Sequence, residues 1–310
     1  MRLFKKTNID FVGKRYQWYV ISCLVILVGM LSLTIKGFDF GIDFLGGTEL
    51  VIAFQQTHSI GQIRDALGTV GMSQSEIKSF GAERNILIRT VMQEAGTATG
   101  DRIRRAITSR FPDDKFEVLK ENKIGPKIGK ELRRDAVYAV LASLVAILIY
   151  IAIRFKFAYG VGGVLALFHD VLVTLGVISL ANGVLPGLNI EITQEVIAAF
   201  LTLIGVSIND TVVVFDRIRE NLKIYRSLPL FEVMNMSINQ TLSRTIITSA
   251  TIIAVLLILL FAGGESTRGF AFTLTVGLII GTYSSIFIAS AFVLDWNVRK
   301  QRRKEQRAGA

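Results

Sequence analysis

Asp210 is the one ionisable side chain in the run FLTLIGVSINDTVVVF, Phe200 to Phe215. A charged Asp in the middle of a membrane helix costs about 2.5–3.5 kcal/mol on insertion scales. Such a carboxylate must find a counter-charge or hold a proton. Its neighbours are polar: Ser207 shares its helical face at i−3, while Asn209 and Thr211 flank it. The next apolar run, NQTLSRTIITSATIIAVLLILLF, carries Arg244 at its start, beside Thr245, Thr248 and Ser249. This placement predicts an Asp210–Arg244 pair across two helices. Arg favours the charged carboxylate and desolvation disfavours it, so a change in their separation would bind or release a proton. That is the content of a proton relay; the plain alternatives are a static ion pair, or an Arg244 that reaches the headgroups.

His169 and Asp170, in VLALFHDVLVTLG, form a second polar pair in an apolar run. With Ser207 and Asn209 they are either a secondary part of the relay or a polar clamp between helices, and the clamp is expected. Gly277 and Gly281, in GLIIG, have the small-xxx-small spacing of close helix packing. No His/Cys cluster, Ser/His/Asp set or phosphate-binding loop occurs. The expectation is no catalytic residue, no metal site, no cofactor and no enzyme activity.

The elements that hold these groups are membrane spans. The chain has 310 residues, of which 51% are hydrophobic, and a mean hydropathy of +0.49. Apolar runs cover 18–35, 136–153, 157–185, 196–215, 245–261 and 269–294. Runs of about 20 residues cross a hydrocarbon core of about 30 Å, which predicts a polytopic α-helical membrane protein with six crossings. The single cysteine, Cys23, lies inside the first run and makes no intrachain disulfide. Counted from Val196, Asp210 lies fourteen residues in, about 21 Å along the helix.

Orientation follows from the basic loops. Lys5, Lys6, Lys14 and Arg15 precede the first run, and Arg154 and Lys156 follow the second. Arg217, Arg219, Lys223 and Arg226 follow the fourth, and the tail VRKQRRKEQR carries six basic residues. The loop NGVLPGLNIEITQE has no basic residue, but has Glu191 and Glu195. By the positive-inside rule both termini are cytoplasmic. The net charge of +10 then reads as attraction to anionic lipids at that face, and not to nucleic acid, since the tail lacks interleaved aromatic residues.

The expected organisation is a cytoplasmic segment 1–17, a first helix 18–35, an external domain 36–134, a five-helix bundle 135–295 and a basic tail 296–310. Within the external domain the strand-like segments 48–54, 76–81, 85–91 and 115–125 alternate with helical 59–71 and 99–111. Strands 76–81 and 85–91 are expected to be joined by AERN. The order β-α-β-β-α-β is that of a ferredoxin-like α+β unit. The glycine-rich flanks GFDFGIDFLGGTEL and KIGPKIGKEL read as turns and linkers.

GIDFLGGT (41–48), GPKIGKEL (125–132), LFHDV (167–171), INDTVVVFDRIREN (208–221), NQTLSRTIITSAT (239–251) and GGESTRGFAFTLTVGLIIGTYSSIFIA (263–289) resemble the SecD/SecF family of bacterial protein-export membrane proteins. That family lies in the resistance-nodulation-division superfamily, and the matches run in order along nearly the whole chain. The resemblance implies a chain of the bacterial cytoplasmic membrane that pairs with SecD, associates with the SecYEG channel, and uses the proton-motive force to help draw an unfolded, translocating polypeptide outward. It places the family's intramembrane Asp on Asp210 and its Arg on Arg244. A further family Asp belongs to SecD, so the relay would be incomplete in this chain. The rival is a stand-alone proton-driven exporter of small solutes; such exporters carry two repeats, and this chain has one.

Overall fold

In the computed structural model, residues 7–91, 98–155, 157–182, 184 and 190–308 are described. Lys5, Lys6, Lys156 and the expected end of the third run at Leu185 lie outside them. Among the described residues, six helical spans are long and apolar enough to cross a membrane. They are α1 (Arg15–Lys36), α5 (Pro126–Arg154), α6 (Phe157–Ala181), α7 (Gln194–Ile224), α8 (Leu230–Ala262), and a last span built from α9 (Glu265–Ser284), one π-helical turn (Ser285–Ala289) and α10 (Ser290–Ala308).

The helices outrun their apolar cores. Pro126 opens α5 ten residues ahead of Ala136, in the first turn, where its missing N–H costs nothing. Helices α7 and α8 extend beyond the apolar runs as a hairpin. It is held by Asn221, which donates to Ser237 and Gln240, and by Arg217, which donates to Gln240. Asn235 and Asn239, one turn apart on α8, hydrogen-bond the backbone of Ile9, Phe11 and Val12. They strap the N-terminal segment onto the hairpin.

Helices α1 and α6 are a parallel pair with a constant offset. Ser22 meets His169, Gly29 meets Gly176 and Ser32 meets Ser179, each 147 residues apart. At Gly29 and Gly176 the two backbones touch: a Cβ on either would sit 2.7 Å from the other's Cα. Gly277 and Gly281 do similar work on α9. A Cβ on Gly277 would lie 2.5 Å from Leu203, and one on Gly281 would lie 2.8 Å from the Ser207 hydroxyl, both on α7.

Between α1 and α5 lie α2 (Ile42–Leu45) and a four-stranded antiparallel sheet of β1 (Gly47–Phe54), β2 (Glu76–Phe80), β3 (Ala82–Thr90) and β4 (Phe116–Ile124), in the order β2-β3-β1-β4. Helices α3 (Ile60–Gly68) and α4 (Ala98–Arg110) cover one face, burying Ile63, Leu67, Ile103 and Ile107 against Leu50, Ile52, Ile86 and Ile88. This is the ferredoxin-like arrangement. AERN, however, is not a loop. Gly81, at φ +75°, makes the turn by itself, and Ala82 already pairs with Phe80.

The two glycine-rich flanks also do more than link. Gly129 packs on the α2 turn, where a Cβ would meet the carbonyl oxygens of Phe44 and Asp43 at 3.2 and 3.3 Å. Gly46, at φ +73°, lies against Pro126. The entry to the external domain and its exit are thus clasped together.

Candidate functional site

Helix α7 carries the site. Its buried stripe runs Val196, Ala199, Phe200, Leu203, Ile204, Ser207, Asp210, Thr211 and Val214, a helical repeat facing the bundle. Asp210 is 6% exposed. Its Oδ2 accepts from the Ser249 hydroxyl on α8 at 3.1 Å, and Ser249 accepts in turn from Thr282 on α9 at 2.8 Å.

Arg244 is not on the carboxylate. No ion pair within 4.0 Å joins the two among the described residues, although Arg244 remains within electrostatic reach of Asp210. The direct contact expected from the sequence is therefore replaced by Ser249. The buried face of α8 is Thr241, Leu242, Thr245, Ser249 and Leu256. Arg244 precedes Thr245 by one residue, about 100° round the helix, and is exposed. Its side chain lines a cavity of about 1120 Å³ with Asp216, Arg217, Glu220, Asn239, Gln240 and Ser243, closed in part by Thr7 and Asn8 of the N-terminal strap. Asp216 pairs with Arg154 at 3.3 Å.

Asp170 is fully buried and well partnered. Ser207 donates to its Oδ2 at 2.7 Å and His169 Nδ1 meets its Oδ1 at 3.1 Å. His169 Nε2 lies 3.0 Å from Ser22 on α1, which is 2.9 Å from the Tyr283 hydroxyl on α9. The pair thus ties α1, α6, α7 and α9 together. The second chain, Asp210–Ser249–Thr282, reaches α9 one residue from Gly281, whose missing side chain makes room for Ser207. Asn209 is exposed on α7 and belongs to neither chain; Thr202 and Gly205 are exposed on the same helix. Thr282, Tyr283 and Ser22 are additions to the sequence reading, which placed Ser249 beside Arg244 but not against Asp210. The i, i+4 pair Thr245 and Ser249 was the available signal.

A second polar centre joins the external domain to the bundle. The strand register sets Arg89 of β3 between Glu49 of β1 and Glu76 of β2. Arg89 donates to Glu49 at 2.8 Å, to Glu76 at 3.1 Å and to Glu191, in the loop before α7, at 2.6 Å. Lys78 donates to Glu191 as well, at 3.1 Å. Burial alone would raise the Glu191 pKa, but the hydrogen bond and charge of Arg89, followed by Lys78, outweigh it and hold the carboxyl below its usual range. The same loop pairs its backbone with the chain after α1: Ile192 N donates to Asp39 O at 2.7 Å and Gly41 N to Ile192 O at 2.9 Å. Among the described residues, no group of three or more His, Cys, Asp and Glu side chains is placed to hold a metal ion.

Residues 105–299 match the family described as "Protein export membrane protein SecD/SecF, C-terminal", and residues 31–57 match the "SecD/SecF GG Motif". The chain belongs to the SecD/SecF family. It is 47% identical over 98% of its length to "Protein translocase subunit SecF" of Rhodothermus marinus, covering 98% of that relative. The Haemophilus influenzae protein of the same description is 37% identical, with 94% of this chain and 87% of that one covered. The fold is similar to the crystal structure of SecDF, "a translocon-associated membrane protein", from Thermus thermophilus, at TM-score 0.83 and 38% identity over 96% of this chain. A second crystal structure, of SecDF in a super-membrane-facing form, gives TM-score 0.70 at 38% identity over the whole chain. The chain spans 40% and 41% of those two structures' own lengths. It is a multi-pass protein of the bacterial inner membrane.

Proposed function

We propose that this chain is the SecF subunit of the Sec export machinery. It pairs with SecD, works at the SecYEG channel, and spends the proton-motive force on moving an unfolded polypeptide outward. Relatives described as protein translocase subunit SecF support the pathway. SecDF, of which this chain matches 40%, supports SecD as the separate chain supplying the rest. The exposed polar edge Thr202, Gly205 and Asn209 of α7 is a poor lipid face and suits a partner helix.

The observation that carries the proton reading is Asp210 itself, buried in a span, held by a serine and not locked to a cation. A permanent ion pair fixes a charge. A carboxylate with Arg244 held off can take up a proton, and give it back when the arginine approaches. The cavity ending at Arg244 offers water a path from the hairpin side. Crossing 100 mV, one charge is worth about 2.3 kcal/mol. In this reading residues 1–17 and 296–310 face the cytoplasm, 36–134 lie outside, and 135–295 form the five-helix bundle. Loop Glu191 and the external sheet then share one side, consistent with Glu191 having no basic residue beside it in the loop.

Asp210→Asn is the test. The isostere keeps size and can still meet Ser249, so insertion and SecD association are expected to survive while the gradient dependence of export is lost. Export that remains fully gradient-driven in this variant refutes the relay.

A further inference from the structure

Helices α1 and α10 enclose a groove of about 460 Å³ lined by Tyr19, Phe292, Asp295, Trp296, Arg299, Lys300 and Arg303. Its one carboxylate is already matched: Asp295 accepts from Arg15 Nε at 2.8 Å and from the Tyr19 hydroxyl at 3.3 Å. Arg299, Lys300 and Arg303 are exposed, and none has an ion pair among the described residues. The other end is aromatic, with the Phe292 and Trp296 rings 5.7 Å apart and Phe157 6.4 Å from Trp296. Residues 292, 296, 299 and 303 recur at helical spacing, so one face of α10 passes from aromatic to cationic.

We propose that this groove binds one anionic phospholipid, its phosphate on Arg299, Lys300 and Arg303 and an acyl chain along Phe292 and Trp296. The dimensions fit. Tryptophan marks the membrane boundary, and three to seven further residues rise about 4.5–10.5 Å, which spans a headgroup layer of about 5–8 Å. Inorganic phosphate would satisfy the cations and leave the aromatic end unused, which favours the lipid. The proposed export function enters only in naming the leaflet, the cytoplasmic one.

The chain has two tryptophans. Trp18→Phe, in the full chain reconstituted in nanodiscs, leaves Trp296 as the sole reporter; Trp18→Tyr serves equally if the Phe variant is unstable. Quenching is compared between brominated phosphatidylglycerol and brominated phosphatidylcholine at equal mole fraction. Phosphatidylglycerol is expected to quench more strongly, since each cation near an anionic surface is worth about a fivefold preference. Neutralising R299Q, K300Q and R303Q together is expected to erase the difference. Equal quenching by the two lipids, or a preference that persists in the triple variant, overturns the proposal. So does a preference abolished by millimolar inorganic phosphate, which would make this a free-phosphate site.

Discussion

Gly176→Ala isolates the contact between α1 and α6. The new methyl would lie 2.7 Å from the Gly29 Cα, where a carbon contact needs about 3.5–4.0 Å. The obstacle is backbone, so no rotamer change relieves it, and the helices must part by about 0.8–1.3 Å. Overpacking of this kind costs about 1–3 kcal/mol. The Ser32–Ser179 hydrogen bond, 2.8 Å long and three residues away, would stretch past hydrogen-bonding distance. Its loss adds about 0.6 kcal/mol, typical within a membrane. Exchanging Gly for Ala in a helix returns up to about 1 kcal/mol. The net is a loss of about 0.6–2.6 kcal/mol, read as a fall of about 1–4 °C in apparent Tm of the purified chain in detergent. Gly205→Ala is the control. A Cβ there meets nothing within 4 Å, so its Tm is expected to stay at the parent value or rise slightly. Parent-like stability in Gly176→Ala, or an equal loss in Gly205→Ala, would refute the reasoning.

The latch between the external sheet and the bundle is expected to weaken in Glu191→Gln, read as faster hydrogen exchange over Gly37–Gly47; unchanged exchange would remove Glu191 from the latch. The same loosening is expected in the parent on acidification. Glu191 is held below its unfolded value, so its contribution is complete above about pH 4.3 and lost as pH falls through the lower folded value. Asn209→Leu is expected to leave the Tm of the isolated chain unchanged and to reduce the yield of co-purified SecD. Full SecD recovery would mean that the exposed edge of α7 faces lipid.

The sequence carried much of this. Six apolar runs are visible because a span must satisfy its backbone internally, and the order of strands and helices sets the ferredoxin-like unit because each period is distinct. Asp210 stands out by its cost alone. What it touches does not. Thr245 and Ser249 repeat at i, i+4, yet Arg244 has the greater chemical weight and draws the eye, and which residue meets Asp210 depends on a rotation of about 100° that only packing fixes. The Arg89 centre was hidden for a different reason. Its four main members come from β1, β2, β3 and the loop before α7, and nothing local in a run such as NILIRTV marks one arginine as buried. The glycines of GIDFLGG and GPKIGK look like linkers because a close approach and a flexible hinge demand the same residue.

The constant offset of 147 residues between α1 and α6 bears on how the chain is made. α1 leaves the ribosome before α6, with its serines and glycine unpaired. At about 5–20 residues per second, the partner surface follows roughly 7–30 s later. Over that interval α1 must wait while the four-stranded sheet domain and α5, which lie between the two helices in the chain, are made. Assembly of this bundle closes from the third span back onto the first.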